Sequence, residues 1–208
     1  MITRICFALL FVGFPLVLGI KIRAQRRALG RSPVVLGRVG QHPVERWFER
    51  LSPLGLLFWP AVWLWIALGL APLRAMPLRA VGVTLVAMGA ALSAGSVFLM
   101  GRAWRIGIDP EQRSELADQG PYRWIRHPIY SGWLVMLVGH VLVVPHRVVD
   151  VAATLTAAGV LFEALREERH MYRTFGERYA RYAAGTGRFA PRLRVPRRGN
   201  RARGGGAP

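Results

Sequence analysis

The stretch Gly120-Pro121-Tyr122-Arg123-Trp124-Ile125-Arg126-His127-Pro128-Ile129-Tyr130-Ser131-Gly132 concentrates cations, rings and turn formers directly ahead of an apolar run over 133–144. Polar, ring-bearing residues set hard against a membrane-length apolar segment are costly unless they serve a site. Two further polar groups accompany it: Trp104-Arg105-Ile106-Gly107-Ile108, and Arg166-Glu167-Glu168 with Phe175-Gly176-Glu177-Arg178-Tyr179-Ala180-Arg181-Tyr182. Arginine clamps a carboxylate through two parallel hydrogen bonds, carboxylates accept from hydroxyl or ammonium groups, and tyrosine offers a stacking face. A Glu pair leaving one apolar helix, opposite an Arg-His pair at the entry of its hairpin partner, therefore suits a ligand carrying both charges and an aromatic ring.

The elements that must position these groups are read from the apolar pattern. The chain has 208 residues, a formal charge of +18 and an apolar fraction of 52%. That combination fits one membrane domain with arginine-rich loops. A nucleic-acid binder would spread its basic residues along an amphipathic face, whereas here they fall between long apolar runs. The expected architecture is all-α and membrane-integral, with five spans at 5–20, 54–73, 80–100, 129–144 and 147–165 as one domain over 1–194. Residues 195–208 read as a disordered basic tail. Only Arg4 precedes the first run and no small-residue cleavage site follows it, so it reads as a retained span. Span three carries Gly82, Gly89, Ala90, Ser93, Gly95 and Ser96, and small residues allow close helix contact, which places it centrally. Spans four and five are joined only by Pro145-His146-Arg147 and form a tight hairpin. A short interfacial helix is expected around Trp47 and Phe48, and His42 reads as a loop residue.

Charge sets the expected orientation. The links after spans two and four hold only Arg74, Arg79 and Arg147, while the 21–53 loop, the 101–128 loop and the tail are arginine-rich. The positive-inside rule then puts the N-terminus outside and all three polar groups, with a C-terminal helical segment, on the cytoplasmic face.

At the same residues the chain resembles the isoprenylcysteine carboxyl methyltransferase family and its phospholipid-methylating relatives. The likeness rests on Gly120-Pro121-Tyr122, Arg126-His127-Pro128-Ile129-Tyr130-Ser131-Gly132, Glu167-Glu168 and Phe175-Gly176 with Tyr179 and Tyr182; Trp104-Arg105 with Gly107-Ile108 is similar to the segment ahead of that core in bacterial members. It covers roughly residues 98–193. The resemblance implies an integral membrane enzyme, in a bacterial inner membrane, that moves a methyl group from S-adenosyl-L-methionine to an amphiphilic or lipidated acceptor. It also implies that Tyr122, His127, Tyr130, Gly132 and Met136 line the cofactor pocket; Pro128 and Glu168 are read with them, and residue chemistry makes Arg126 and Glu167 the catalytic candidates. In the family an arginine stands one helical turn before the first Glu; here that position is Glu163, which leaves thiol, amine and lipid acceptors open beside a carboxylate.

Rival readings are a membrane reductase of sterol-reductase-like architecture using NADPH, and a non-catalytic membrane scaffold. The scaffold predicts loss of the Arg-His-Pro or Glu-Glu elements, and both are intact. His140, inside span four, reads as a helix–helix hydrogen bond before a proton-handling group. Cys6 is the single cysteine and lies in an apolar run, as a small buried hydrophobe does. No metal site is expected, because no two histidines fall at ligand spacing on one helix.

Overall fold

The computed structural model describes residues 1–30, 32–35, 43–107 and 116–192. His42, Ile108 and the 195–208 tail lie outside them, as do the side chains of Trp47 and Phe48. Among the described residues regular structure is helical: α1 (Ile2–Leu29), α2 (Pro43–Ala67), α3 (Leu78–Leu99), α4 (Pro128–Val143), α5 (Arg147–Phe175) and α6 (Glu177–Gly185), with 3-10 turns at Gly101–Ala103 and Gly120–Arg123. Helices are what an apolar chain forms in lipid, since every backbone N–H and C=O finds its partner within the segment.

Helix positions match the five apolar runs, but their lengths differ. Among the described residues three helices, α1, α3 and α5, are long and apolar enough to cross a membrane; Leu57–Ala67 of α2 and Pro128–Val143 are shorter apolar helices. At 16 residues α4 rises about 24 Å, against a hydrocarbon core of roughly 30 Å. Conversely α1 runs nine residues beyond the apolar run to Leu29. Its polar end is held because Gln25 donates to the carbonyls of Gly101 (2.9 Å) and Trp104 (3.0 Å), and Lys21 to that of Gly101 (3.1 Å). The segment after α3 is fixed a second time by a parallel bridge between Val34 and Ile106. Trp104 is thereby buried against the end of α1.

Small residues set the closest helix contact. A Cβ on Gly82 would meet the carbonyl of Gly139, and one on Gly89 the carbonyl of Gly132 and the Met136 side chain. With no Cβ at either level, α3 and α4 approach backbone to backbone. Ser93 then reaches across and donates to the carbonyl of Ile129 at 2.9 Å.

Beside this contact lies an aromatic core of Phe7, Trp59 and Trp63 around His140, with Ile66 buried in the same cluster. His140 Nδ1 lies 2.6 Å from the carbonyl of Met136, which can only accept, so that nitrogen carries the proton. Nε2 is then the acceptor for Trp63 Nε1–H at 2.8 Å. His140 is a neutral hydrogen-bond partner joining α4 to α2.

The α4–α5 hairpin turns on Val144, Pro145 and His146. His146 caps α5 by accepting from the Val148 N–H at 3.3 Å. The antiparallel hairpin brings the start of α4 level with Glu167 and Glu168 of the longer α5. After Phe175 the chain breaks at Gly176, whose φ of +50° and ψ of −125° suit a residue without a side chain, and α6 turns back toward α4.

Candidate active site

Pro128 opens α4 at the first helical position, where its missing N–H costs nothing and its fixed φ is already helical. Just before it, residues 124–127 pair with the segment that follows α6. Ile125 bridges Gly187 in parallel. The Gly187 N–H donates to Trp124 O (3.0 Å), the Arg126 N–H to Gly187 O (2.8 Å) and the His127 N–H to Arg188 O (3.1 Å). Ser131 adds its hydroxyl, in contact with the carbonyls of His127 (2.9 Å) and Phe189 (2.8 Å). Residues 186–189 thus form a strap across the entry of α4.

Beneath the strap the charged side chains converge on the two glutamates of α5. Glu168 is surrounded: Oε1 lies 2.9 Å from Arg126 Nε, 2.9 Å from Arg188 Nε and 3.2 Å from His127 Nε2, while Oε2 lies 2.8 Å from Arg188 Nη2. Glu167 is more open, with 29% of its side chain exposed against 9% for Glu168. Its Oε1 accepts from the Tyr130 hydroxyl at 2.6 Å and its Oε2 lies 3.4 Å from His127 Nδ1.

Both nitrogens of His127 therefore face a carboxylate. Burial favours the neutral ring, but hydrogen bonds and charge from Glu167 and Glu168 outweigh it and hold the imidazole pKa above its ordinary value. In that form both ring N–H groups donate. Tyr130 lies parallel to the imidazole, with ring centroids 5.6 Å apart and planes 15° apart, and Phe189 covers another side at 5.9 Å.

Arg126, read from the sequence as a clamp for a substrate carboxylate, engages the protein itself. Besides Glu168 it donates through Nη1 to the carbonyls of Ala183 (2.8 Å) and Thr186 (2.6 Å), which ties α4, α5 and the end of α6 together. Tyr122 is buried, with its hydroxyl 3.4 Å from Ser96 O and its own carbonyl accepting from Tyr182 at 2.8 Å. Burial and then the Glu167 charge push the Tyr122 phenol well above its ordinary pKa. Burial also pushes Tyr182 up, to about 12, against the lowering effect of Arg126. Both stay protonated donors.

Gly132 and Met136 stand apart from this cluster. Gly132 is pressed on Gly89 and Ser93, and Met136 on Gly89, so both belong to the α3–α4 contact. Glu163 pairs with the buried Arg166 at 2.8 Å, and Glu45 of α2 approaches Arg166 to 3.8 Å and Arg169 to 3.6 Å. An apolar cleft of about 230 Å³ between α2 and α5, lined in part by Phe58, Trp65 and His146, lies at the other end of the hairpin from the glutamates. The sequence reading does not single out Arg188, Ser131 or the strap.

Residues 78–178 match the family described as phospholipid methyltransferase. Similar relatives are protein-S-isoprenylcysteine O-methyltransferase B of Arabidopsis thaliana, 29% identical over 105 residues, and a probable protein-S-isoprenylcysteine O-methyltransferase of Oryza sativa, in both subspecies indica and japonica, 32% identical over 106 residues. The resemblance is to the isoprenylcysteine and phospholipid methyltransferase family. The likeness carried by the short motifs is supported by these matches. They cover 49–50% of this chain and 53–56% of the relatives, so the chain matches about half the length of the curated isoprenylcysteine methyltransferases. No solved structure matches the chain at a significant level. The phospholipid methyltransferase match contains Tyr122, Arg126, His127, Tyr130, Glu167 and Glu168 and ends before the strap.

Proposed function

We propose that the chain is an integral membrane methyltransferase that takes its methyl group from S-adenosyl-L-methionine and passes it to an amphiphilic acceptor at the cytoplasmic face. The observation that carries this reading is the split between the two glutamates. Glu168 is enclosed by Arg126, His127 and Arg188, while Glu167 keeps an open edge beside Tyr130 and His127. The family match over 78–178 supports it. In this reading all five apolar helices enter the membrane with the N-terminus outside, as the arginine distribution requires, and α4 reaches only part of the depth.

The residues at the open edge fit the proposed cofactor. An amino-acid ammonium or a ribose hydroxyl suits Glu167, and an adenine or sulfonium suits the Tyr130 face, while the His127 imidazolium orients both glutamates. S-adenosyl-L-methionine supplies an electrophilic methyl on a positively charged sulfur. The chain contributes by binding, orienting and keeping water out, effects worth about 7–11 kcal/mol in well-aligned reactions. Glu167 is the group placed to take a proton from a thiol or amine acceptor. A carboxylate acceptor needs no base. Arg126 acts as a positioning residue through Glu168 and the carbonyls of Ala183 and Thr186. Tyr122, Pro128, Gly132 and Met136 support the site through the packing described.

The test is transfer of radiolabelled methyl from S-adenosyl-L-methionine by detergent-purified protein to a panel of prenylcysteine carboxylates, lipid amines and amphiphilic thiols. Label in one class and not in a Glu167→Gln, Tyr130→Phe variant supports the reading. Label in none, together with binding of NADPH, sinks it in favour of a reductase.

A further inference from the structure

We propose that Arg188 is a positioning residue that acts through Glu168: it locks the strap 186–189 over the entry of α4 and so holds the wall of the proposed cofactor site. Its consequence for catalysis rests on the methyltransferase reading; the lock itself does not.

The strap needs such a lock. Its pairing with residues 124–127 is one isolated parallel bridge, carried by three backbone hydrogen bonds. Among the described residues no further bridge flanks it, and the matched family region ends at residue 178. What fixes its position is side-chain chemistry from below. Arg188 lays Nε on Oε1 and Nη2 on Oε2 of Glu168, at 2.9 and 2.8 Å. That two-pronged geometry is specific to arginine, because a lysine ammonium presents a single point of charge. Arg126 holds the strap's first residue from the other side through the Thr186 carbonyl. Glu168 is the shared anchor, since both guanidiniums and His127 Nε2 meet on Oε1.

A locked strap places Phe189 against His127 and its carbonyl on Ser131. Releasing Arg188 leaves the helix core untouched, because its side chain is 41% exposed and pairs with Glu168 at the polar end of α5. The expected defect is therefore in holding the cofactor rather than in folding.

Hydrogen exchange of the full chain in detergent, without ligand, reads the lock directly. In Arg188→Gln the amides of Arg126, His127 and Gly187 should exchange roughly tenfold faster, the scale of one lost charge-assisted contact, while those of α3 keep their wild-type rates. Glu168→Gln should do the same, and the double variant should add little, because the two residues act as a unit. S-adenosylhomocysteine should bind roughly tenfold more weakly to Arg188→Gln, with Arg188→Lys nearer to the Gln variant than to wild type. Unchanged exchange in Arg188→Gln, additive effects, or faster exchange with unchanged affinity would each overturn the proposal. Faster, non-additive exchange in a protein whose wild type binds no S-adenosylhomocysteine upholds the lock and removes the methyltransferase reading instead.

Discussion

Tyr130 donates its hydroxyl to Oε1 of Glu167 across 2.6 Å, joining the first turn of α4 to the polar end of α5. Hydrogen bonds to a charged group contribute about 1.5–3 kcal/mol. Tyr130→Phe keeps the ring and removes this bond. It should raise KM for the methyl donor by roughly tenfold or more, while the protein still purifies as a folded monodisperse species. Steady-state kinetics at varied donor concentration check this; an unchanged KM would separate Tyr130 from the cofactor.

His127 predicts a pH dependence of stability. Its folded pKa is raised above the ordinary 6.5 by Glu167 and Glu168 despite burial. A raised value means the folded state binds the proton more tightly, so the stabilisation is full below pH 6.5 and is lost as pH climbs through the folded value. Thermal melts in detergent should show Tm falling over that alkaline interval, and His127→Gln should flatten the fall. A wild-type Tm that rises there would contradict the imidazolium.

Gly132 separates two roles, one from the family likeness and one from the packing. A methyl at this position meets Gly89 and Ser93 of α3. Gly132→Ala should therefore cost about 1–3 kcal/mol by overpacking, seen as a lower denaturation midpoint, with cofactor affinity lost only alongside the fold. Normal stability with abolished binding would return Gly132 to the cofactor pocket.

Trp63 and His140 should be coupled through their 2.8 Å hydrogen bond. Trp63→Phe and His140→Leu, singly and together, should give a coupling near 0.6 kcal/mol and at most about 1.7. Additive effects would mean that the bond does not form in lipid.

Much of this arrangement is legible in the amino-acid order. Apolar runs locate all five hydrophobic helices, since in lipid an apolar segment has no alternative to a helix. The glycines of α3 announce its contact with α4, and Pro128 after His127 announces a helix start. Lengths are less legible, because α1 continues past its apolar run only where Lys21 and Gln25 find the carbonyls of Gly101 and Trp104, a contact 76 to 80 residues away. The same holds at the site. Arg126, His127, Tyr130, Glu167 and Glu168 come together as their types suggest, but the assignment of Arg126 to a ligand does not follow, because its partners in α6 and the strap are set by tertiary structure. Arg188 is one of 29 Lys and Arg residues, and nothing near it in sequence distinguishes it from a positive-inside anchor.

Calorimetric titration of the detergent-purified chain with S-adenosylhomocysteine, alongside a Tyr130→Ala, Glu167→Ala variant, tests the central claim most directly. Saturable one-site binding by wild type, lost in a variant that keeps its thermal transition, is the predicted result. No heat from wild type, or equal binding by both proteins, would contradict a cofactor site at the open edge of Glu167.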